Sequence, residues 1–476
     1  MPISLEDTVR VSDGRSVPRL LLFAACVAGC AADDATAPSE GVALRRGETN
    51  ALAAEVRRLA ADRGITPLRR PAPIRPQLVN LGRFLAFDRE LSGNRDIACM
   101  TCHLPRFGTG DGRSLSIGQG GAGLALDRTH PTSAFIPRNA PPAFNLFALE
   151  SFFWDGRVAS GAGGVVHTPV GDAITPDMTA VFEFGALSAL PLFPVLSREE
   201  MRAADGNELA EIPDDEPRSV WAALMRRLSA FPEYRQLFEA AYPGQRFADM
   251  TFAHASNAIA GFLIAELAFN DSPWDRFLAG NDAALSEVQL AGANNFMSAR
   301  CSICHNGPAF TDNQFHNVAV AQLGPGQGDG LGGRDDFGRM RVTGIDADRY
   351  RFRTTPLRNV ELTGPWGHDG AFTDLRAFVD HYSESDLKLR AFDVMQLEPM
   401  LRGLVLPNVD AILATRDPLL DGVVFTPQQV DEVTEFMKAL TDPAARNLAR
   451  LTPQRVPSGL PVDDTHREPI ARPGLR

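Results

Sequence analysis

Cysteine is scarce in this chain, and its placement restricts what it can do. Only six cysteines occur among the 476 residues. Cys26 and Cys30 lie in an apolar N-terminal stretch, and the other four form two C-x-x-C-H units. No cysteine in the body of the chain remains for a structural disulfide, so the four motif cysteines indicate attachment of a cofactor.

Basic residues are also fewer than acidic ones. The chain carries 47 lysines and arginines against 59 aspartates and glutamates, a formal net charge of -12. This balance argues against a nucleic-acid partner, because binding to phosphates requires a basic face. Strand-like alternation of apolar and polar residues is scarce, whereas helical periodicity recurs. We therefore expect a mainly α-helical globular protein with few strands.

The N-terminal region lacks an apolar run long enough to span a bilayer. Residues 20–29 are mostly apolar and follow Arg15 and Arg19, which is typical of a secretory signal. The sequence Val-Ala-Gly-Cys that ends at Cys30 resembles a bacterial lipoprotein cleavage box, and an ordinary signal peptide is the alternative. We expect residues 1–30 to be a lipoprotein signal that leaves a lipid anchor on Cys30, in the periplasm of a Gram-negative bacterium.

The two C-x-x-C-H units are the strongest signal in the sequence. Attachment of haem c requires two thiols that add across the porphyrin vinyl groups, and a histidine that reaches the iron. One helical turn of this motif supplies all three groups, and two matches in an exported chain argue against a zinc or thiol-redox site. The sequence therefore predicts two covalently bound haem c groups, with His103 and His305 as proximal iron ligands. The attachment residues are Cys99, Cys102, Cys301 and Cys304.

The wide separation of the two motifs predicts one haem per domain. Capping boxes at Ser286 with Gln289 and at Thr426 with Gln429 predict two helix starts in the second half. The predicted organisation is a signal peptide at 1–30, a linker and N-terminal helix at 31–70, an N-terminal haem domain at 71–245 with an insertion at about 160–191, a C-terminal haem domain at 246–445, and a tail at 446–476.

Blocks of sequence flank both motifs in a fixed order. In the first half they are Leu-Gly-Arg at 81–83, Arg-Asn-Ala-Pro at 138–141 and Phe-Trp-Asp-Gly-Arg at 153–157. In the second half they are His-Asn-Gly-Pro-Ala-Phe-Thr-Asp at 305–312, Pro-Leu-Arg-Asn-Val at 356–360 and Gly-His-Asp-Gly at 367–370. With these blocks the chain resembles the bacterial di-haem cytochrome c peroxidase family, including its MauG-type branch, over roughly residues 75–445.

This resemblance implies two cytochrome-c-like haem domains packed face to face. The N-terminal haem would be the peroxidatic one, and the C-terminal haem would serve electron transfer. Trp154 matches the family tryptophan that lies between the haems, although a packed core aromatic is the alternative for this residue.

The family places the distal ligand of the C-terminal haem fourteen residues past the histidine of its H-D-G or H-S-G block. From His368 that offset reaches Tyr382. The MauG branch has tyrosine there and the respiratory peroxidases have methionine, so the resemblance implies a MauG-like, Tyr-ligated enzyme. A surface tyrosine, ligation by the adjacent His381, and Met340 as ligand are the alternatives.

The family also implies an acid/base residue at the peroxide site. Its members place a glutamate directly before a methionine and six residues after a proline, and Glu200 follows Pro194 at that spacing. We therefore expect Glu200, Pro194 and Trp154 to serve catalysis, although Ser197 and Glu200 also form a capping box. A glutamine that the family carries before this proline is replaced by Leu190.

Two further ligand sets follow from the resemblance. His130 lies near the position of a displaceable histidine ligand of the first haem, and His167 is a weaker candidate. A solvated loop histidine is the alternative for His130. Asn139, with the backbone oxygens of Thr363 and Pro365, matches the oxygen ligands of a calcium ion between the domains.

The function implied is a periplasmic di-haem oxidoreductase that uses H2O2. It would either reduce peroxide with electrons from a small cytochrome c or cupredoxin, or oxidise a partner protein as MauG does. A non-catalytic di-haem electron-transfer cytochrome is the alternative. A haem-based sensor would need an output module, which is not evident in the sequence.

Overall fold

Helices dominate the fold, as the sequence predicts. The computed structural model describes residues 40–132 and 134–464, with side chains from residue 48 onward. It is 47% helix and 6% strand, which confirms the mainly α-helical expectation. None of the helices in the described ranges is long and apolar enough to cross a membrane. The predicted signal peptide, the anchor at Cys30 and the end of the predicted tail lie outside the described residues.

The elements follow one another with short connections, many of them single 3₁₀ turns. The α-helices in chain order are α1 Glu40–Asp62, α2 Pro76–Phe87, α3 Cys99–Cys102, α4 Pro176–Thr179, α5 Ala186–Ala189, α6 Pro217–Ser229, α7 Pro232–Ala241, α8 Phe252–Leu267, α9 Pro273–Leu278, α10 Glu287–Ser298, α11 Cys301–Cys304, α12 Met340–Thr343, α13 Leu375–His381, α14 Ser385–Arg390, α15 Val409–Leu413 and α16 Pro427–Ala439. The strands are β1 Ser151–Phe152, β2 Val158–Ser160, β3 Val166–His167, β4 Phe315–His316 and β5 Phe352–Arg353.

The strands form two small antiparallel sheets. One has the order β1-β2-β3, in which Ser151 pairs with Ala159 and Ala159 pairs with His167. The other pairs β4 with β5, so that Phe315 lies opposite Arg353. The first sheet begins just before the Phe-Trp-Asp-Gly-Arg block, and the second presents Arg353 beside it.

Local signals set where several helices begin. The side chain of Ser286 accepts a hydrogen bond from the backbone N–H of Gln289 at the start of α10, and Thr426 does the same for Gln429 at the start of α16. Both predicted capping boxes are confirmed. Helix α8 is apolar and is buried along nearly its whole length.

The same helix arrangement occurs in both halves of the chain. The helix that precedes each C-x-x-C-H turn packs against a later helix, α2 against α8 and α10 against α16. Each pair crosses at a glycine. A Cβ atom at Gly82 would overlap the backbone carbonyl of Ala258, and one at Gly292 would overlap that of Glu432. Glycine is therefore required at both crossings, because only glycine lets the two backbones approach so closely.

Two hydrophobic cores accompany these helix pairs. The first core surrounds Leu81 and Phe262, and the second surrounds Trp274 and Phe436. The ends of the described chain are exchanged between them: α1 contributes Val56 to the second core, and residues after α16, such as Leu451, belong to the first. Each core therefore depends on a segment from the opposite end of the chain. The domain boundaries predicted from the sequence stay predictions.

The glycine crossing of α10 with α16 gives a direct stability test. Gly292→Ala should lower the free energy of unfolding by about 1–3 kcal/mol, because the added methyl group forces the two helices apart. Val288→Ala is the matched control, since Val288 is exposed on the same helix and its truncation should change stability by less than about 0.5 kcal/mol. Chemical denaturation of both variants measures the difference, and equal stabilities would contradict the close crossing.

Candidate functional site

Each C-x-x-C-H motif forms a single helical turn that ends at its histidine. The backbone N–H of His103 donates to the carbonyl of Cys99 at 3.1 Å, and that of His305 donates to the carbonyl of Cys301 at 2.9 Å. The turns are α3 and α11, and each follows the helix that crosses at a glycine. The two cysteines and the histidine of each motif therefore lie together on one wall of a cavity.

The two histidines are oriented in the same way. His103 Nδ1 donates to the carbonyl of Thr109 at 2.9 Å, and His305 Nδ1 donates to the carbonyl of Phe310 at 3.1 Å. These bonds leave Nε2 of each ring available as a ligand. Burial lowers the pKa of both imidazoles, which favours the neutral form that binds iron. Thiols and imidazole on one wall are the donors that a covalently bound haem requires.

The cavity around His103, here called the N-terminal cavity, brings the predicted catalytic residues together. It has a volume of about 720 Å³, within the range of roughly 300–1,000 Å³ that is common for ligand pockets. Trp154, Pro194 and Glu200 line it together with Cys99, Cys102 and His103. Leu190, which replaces the glutamine of the family pattern, also lies in the wall and makes it more apolar.

A π-helical turn, Arg198–Arg202, presents Glu200 to this cavity. Its first turn is capped by Ser197, whose hydroxyl accepts a hydrogen bond from the Glu200 backbone N–H at 3.2 Å. The capping role and the position in the cavity are therefore compatible. Burial raises the pKa of the Glu200 carboxyl, and the nearby Arg157 offsets part of that rise. A carboxyl with a raised pKa is suited to exchange protons near neutral pH.

The second cavity, here called the C-terminal cavity, surrounds His305. Tyr382 follows α13 directly and lines this cavity with Phe378 and Val379. The neighbouring His381 instead directs Nε2 to the carbonyl of Val318 at 2.9 Å and is not part of the cavity wall. Adjacent helical positions point about 100° apart, so only one of the two side chains can face the cavity. The geometry favours Tyr382 over His381 as the distal residue, and Met340 does not line the cavity either.

Trp154 lies in the wall that the two cavities share. It lines both of them, as do Asn139, Pro142 and Arg353, and these four residues are here called the shared wall. The indole Nε1 of Trp154 donates to the carbonyl of Asn139 at 2.8 Å, and the backbone N–H of Arg353 donates to the carbonyl of Trp154 at 2.8 Å. Trp154 therefore contacts both cavities, and its role between two haems stays a prediction.

A buried ion cluster holds the segments behind the shared wall. Arg138 donates to Asp336 through Nε at 2.6 Å and Nη2 at 2.8 Å, and to Asp155 through Nη1 at 2.6 Å. Burial opposes the charge on Asp155, but Arg138 outweighs it and lowers the pKa of that carboxyl to about 2. Two carboxylates around one guanidinium satisfy its charge within the protein. The blocks at 138–141 and 153–157 are thereby joined to the loop that carries Asp336.

The histidine predicted as a displaceable ligand lies apart from the N-terminal cavity. His130 is not among its described lining residues, and its Nδ1 accepts a hydrogen bond from the backbone N–H of Thr132 at 3.1 Å. Its loop would have to move before His130 could reach an iron near His103, so ligation stays a prediction. His167 is exposed on β3 and does not line the cavity either.

The residues predicted to bind calcium share one region. Asn139, Thr363 and Pro365 all line the C-terminal cavity. The side-chain amide of Asn139 donates to the carbonyls of Arg113 at 2.9 Å and Ser114 at 3.2 Å. Ordinary hydrogen bonds between segments therefore account for part of this arrangement, and the calcium ion stays a prediction.

Arg353 was not predicted from the sequence as a site residue. It is one of the few side chains that reach both cavities, although it belongs to no C-x-x-C-H motif. Its position depends on the pairing of β5 with β4, far away in sequence. The arginine three residues before the Pro-Leu-Arg-Asn-Val block was the available signal, but nothing local distinguished it from an exposed arginine.

Comparisons with known proteins agree with this geometry. A family model described as di-haem cytochrome c peroxidase matches residues 76–283. The methylamine utilization protein MauG of Methylorubrum extorquens is 28% identical over 369 residues, which cover 77% of this chain and 85% of the relative. The cytochrome c551 peroxidase of Pseudomonas aeruginosa is 28% identical over 337 residues, which cover 70% of this chain and 80% of the relative.

A solved structure gives the same result for the fold. The crystal structure of a MauG-like protein associated with microbial copper homeostasis superimposes with a TM-score of 0.56 at 26% identity. The match covers 82% of this chain and 97% of the other. The similarity therefore includes both halves of the chain.

The position of Tyr382 leads to a spectroscopic prediction. Tyr382→Phe should change the low-spin EPR signal of one haem and leave the signal of the other unchanged, because Tyr382 faces only the C-terminal cavity. Tyr350→Phe is the control, since Tyr350 lines the same cavity but donates its hydroxyl to Asp335 at 2.8 Å. If neither signal changes in Tyr382→Phe, the tyrosine does not bind the iron.

Glu200 is tested by kinetics. Glu200→Gln should slow the reaction with H2O2 by at least about 100-fold, because a glutamine cannot accept the peroxide proton. Burial raises the pKa of Glu200, so the carboxylate form is lost at a higher pH than for an exposed glutamate. The wild-type rate should therefore fall as the pH decreases through that raised pKa, and the variant should lack this dependence.

Glu211→Gln is the control for Glu200, because Glu211 is an exposed carboxylate that does not line the N-terminal cavity. Its rate and pH profile should stay close to those of the wild type. Stopped-flow measurements across pH separate the outcomes. An unchanged rate in Glu200→Gln would contradict a role in proton exchange, and Glu200 would then serve only in the helix cap with Ser197.

Proposed function

Since this chain belongs to the di-haem cytochrome c peroxidase and MauG family and is an oxidoreductase acting on peroxide, we propose that it oxidises a partner protein in the MauG manner. The observation that carries this proposal is that Tyr382 lines the C-terminal cavity together with His305. A phenolate oxygen favours ferric and more oxidised iron over ferrous iron. A site with such a ligand is suited to retain oxidising equivalents rather than to receive electrons at low driving force.

The N-terminal cavity is the proposed peroxide site. A haem bound through Cys99 and Cys102 would supply a redox centre that donates electrons to H2O2. The chain contributes Glu200, which accepts the proton from one peroxide oxygen and returns it to the other as the O–O bond breaks. The apolar wall that contains Pro194 and Leu190 limits access of bulk water to that proton.

Trp154 is the proposed connection between the two cavities. Its indole lies in the shared wall, and its Nε1 hydrogen bond to Asn139 fixes the plane of the ring. An aromatic ring that is held rigidly between two redox centres shortens the distance that an electron must cross through saturated atoms. Oxidising equivalents formed in the N-terminal cavity would therefore reach the side of Tyr382.

The fate of the electrons distinguishes two modes of action. In both modes H2O2 receives two electrons and two protons and becomes two molecules of water. In the favoured mode the electrons come from an oxidisable side chain of a partner protein, and in the other they come from a small cytochrome c or cupredoxin. The similarity to both MauG and the cytochrome c551 peroxidases supports either donor, and Tyr382 favours the first.

The remaining assignments complete the proposal. We propose that the protein acts in the periplasm, with a lipid anchor at Cys30, and that a calcium ion binds at Asn139, Thr363 and Pro365. The support for calcium is that all three residues lie along one wall of the C-terminal cavity. A non-catalytic electron-transfer cytochrome is disfavoured by Glu200, because a buried carboxyl in the N-terminal cavity has no role in simple electron transfer.

A spectral titration with H2O2 tests the proposed function. The fully ferric protein should respond to about one equivalent of H2O2 with changes in the bands of both haems, as expected for the MauG manner. A response only after reduction by one electron would instead indicate the cytochrome c peroxidase mode. No response in either redox state, together with the absence of a high-spin ferric band, would contradict a peroxide-using enzyme.

A further inference from the structure

Arg353 occupies an unusual electrostatic position in the shared wall. It is 6% exposed and lines both the N-terminal and the C-terminal cavity. Its Nε donates to the carbonyl of Phe153 at 3.3 Å and its Nη1 to the carbonyl of Thr354 at 3.4 Å. Both bonds are long, and Nη2 donates to none of the described residues. The guanidinium therefore has unused donors beside both cavities.

No described carboxylate forms an ion pair with Arg353. The other arginines that line the N-terminal cavity each have an acidic partner: Arg138 contacts Asp155 and Asp336, Arg157 contacts Asp155, and Arg341 contacts Asp329. Asp155, Asp336 and Asp329 are thus already paired with other cations. A buried guanidinium without a partner anion is costly, because the protein interior solvates charge poorly.

Loss of a proton does not remove this cost at neutral pH. Burial lowers the pKa of Arg353 to about 10, which still leaves the guanidinium charged at neutral pH. A buried cation that stays charged needs an anion from another source. A haem carries two propionate carboxylates, whose geometry matches the two-pronged donor set of a guanidinium.

We propose that Arg353 is a cofactor-binding residue that pairs with a haem propionate at the shared wall and raises the reduction potential of that haem. This inference rests on the proposed function, since it requires haem in the cavities. The positive charge stabilises the haem more after it has gained an electron than before. Arg353 thus sets how readily electrons pass between the two sites, in addition to holding the cofactor.

Strand β5 links the proposed ion pair of Arg353 to Trp154. The backbone N–H of Arg353 is held by the carbonyl of Trp154, so the guanidinium and the indole have a fixed relation. Arg353 and Trp154 therefore move together. A displacement of β5 would alter both.

The test compares three variants by spectroelectrochemistry. Arg353→Gln should lower the midpoint potential of at least one haem, with a change of roughly tenfold in its reduction equilibrium, which is about 59 mV for one electron. Arg353→Lys should retain part of the wild-type potential, because it keeps the charge but not the two-pronged geometry. Arg339→Gln is the matched control, since Arg339 is half-buried nearby, donates to the carbonyls of Asp155 and Gly156 and lines neither cavity.

A second measurement applies if Arg353→Gln does not fold. The propionate bending bands in the resonance Raman spectrum should shift in Arg353→Lys relative to the wild type and should not shift in Arg339→Gln. Potentials and Raman bands that are unchanged in the Arg353 variants would overturn the proposal. Haem stoichiometry and the response of the wild type to H2O2 are measured in parallel, because failure of either contradicts the proposed function itself and not the role of Arg353.

Discussion

Charge buried between the two cavities is the constraint on which the rest of the structure depends. Arg138 is satisfied within the chain, because Asp155 and Asp336 surround it and tie together three segments that are distant in sequence. Arg353 lies in the shared wall itself and is buried without a carboxylate partner among the described residues. The first guanidinium stabilises the segments around it, and we propose that the second pairs with an anion of the cofactor. These buried charged residues therefore stabilise the fold and also shape the proposed site.

The two cavities are alike on the proximal side and different on the distal side. Each has a C-x-x-C-H turn behind a helix that crosses its partner at a glycine, and each histidine is oriented by a backbone carbonyl. Glu200 lines one cavity as the proposed proton-exchanging group, whereas Tyr382 lines the other as the proposed oxygen ligand. We infer that the two cavities have different functions because these residues differ. Trp154 lies in the wall that both cavities share.

Features determined by near neighbours in sequence could be predicted, and those determined by distant pairing could not. The haem turns and the caps at Ser286 and Thr426 depend on residues within one helical turn, so the sequence contains them. The convergence of Glu200 and Trp154 was reached through the resemblance to a family. Arg353 was missed because its burial comes from pairing between β5 and β4, and the exchange of chain ends between the cores has no local signature.

The central claim is that the chain holds two irons on opposite sides of Trp154. A crystal structure of the haem-loaded protein, with anomalous scattering recorded at the iron absorption edge, tests it most directly. The account predicts two iron peaks, one at ligand distance from Nε2 of His103 and the other from Nε2 of His305, with the indole of Trp154 between them. A single iron peak, or an iron bound to other side chains, would contradict it.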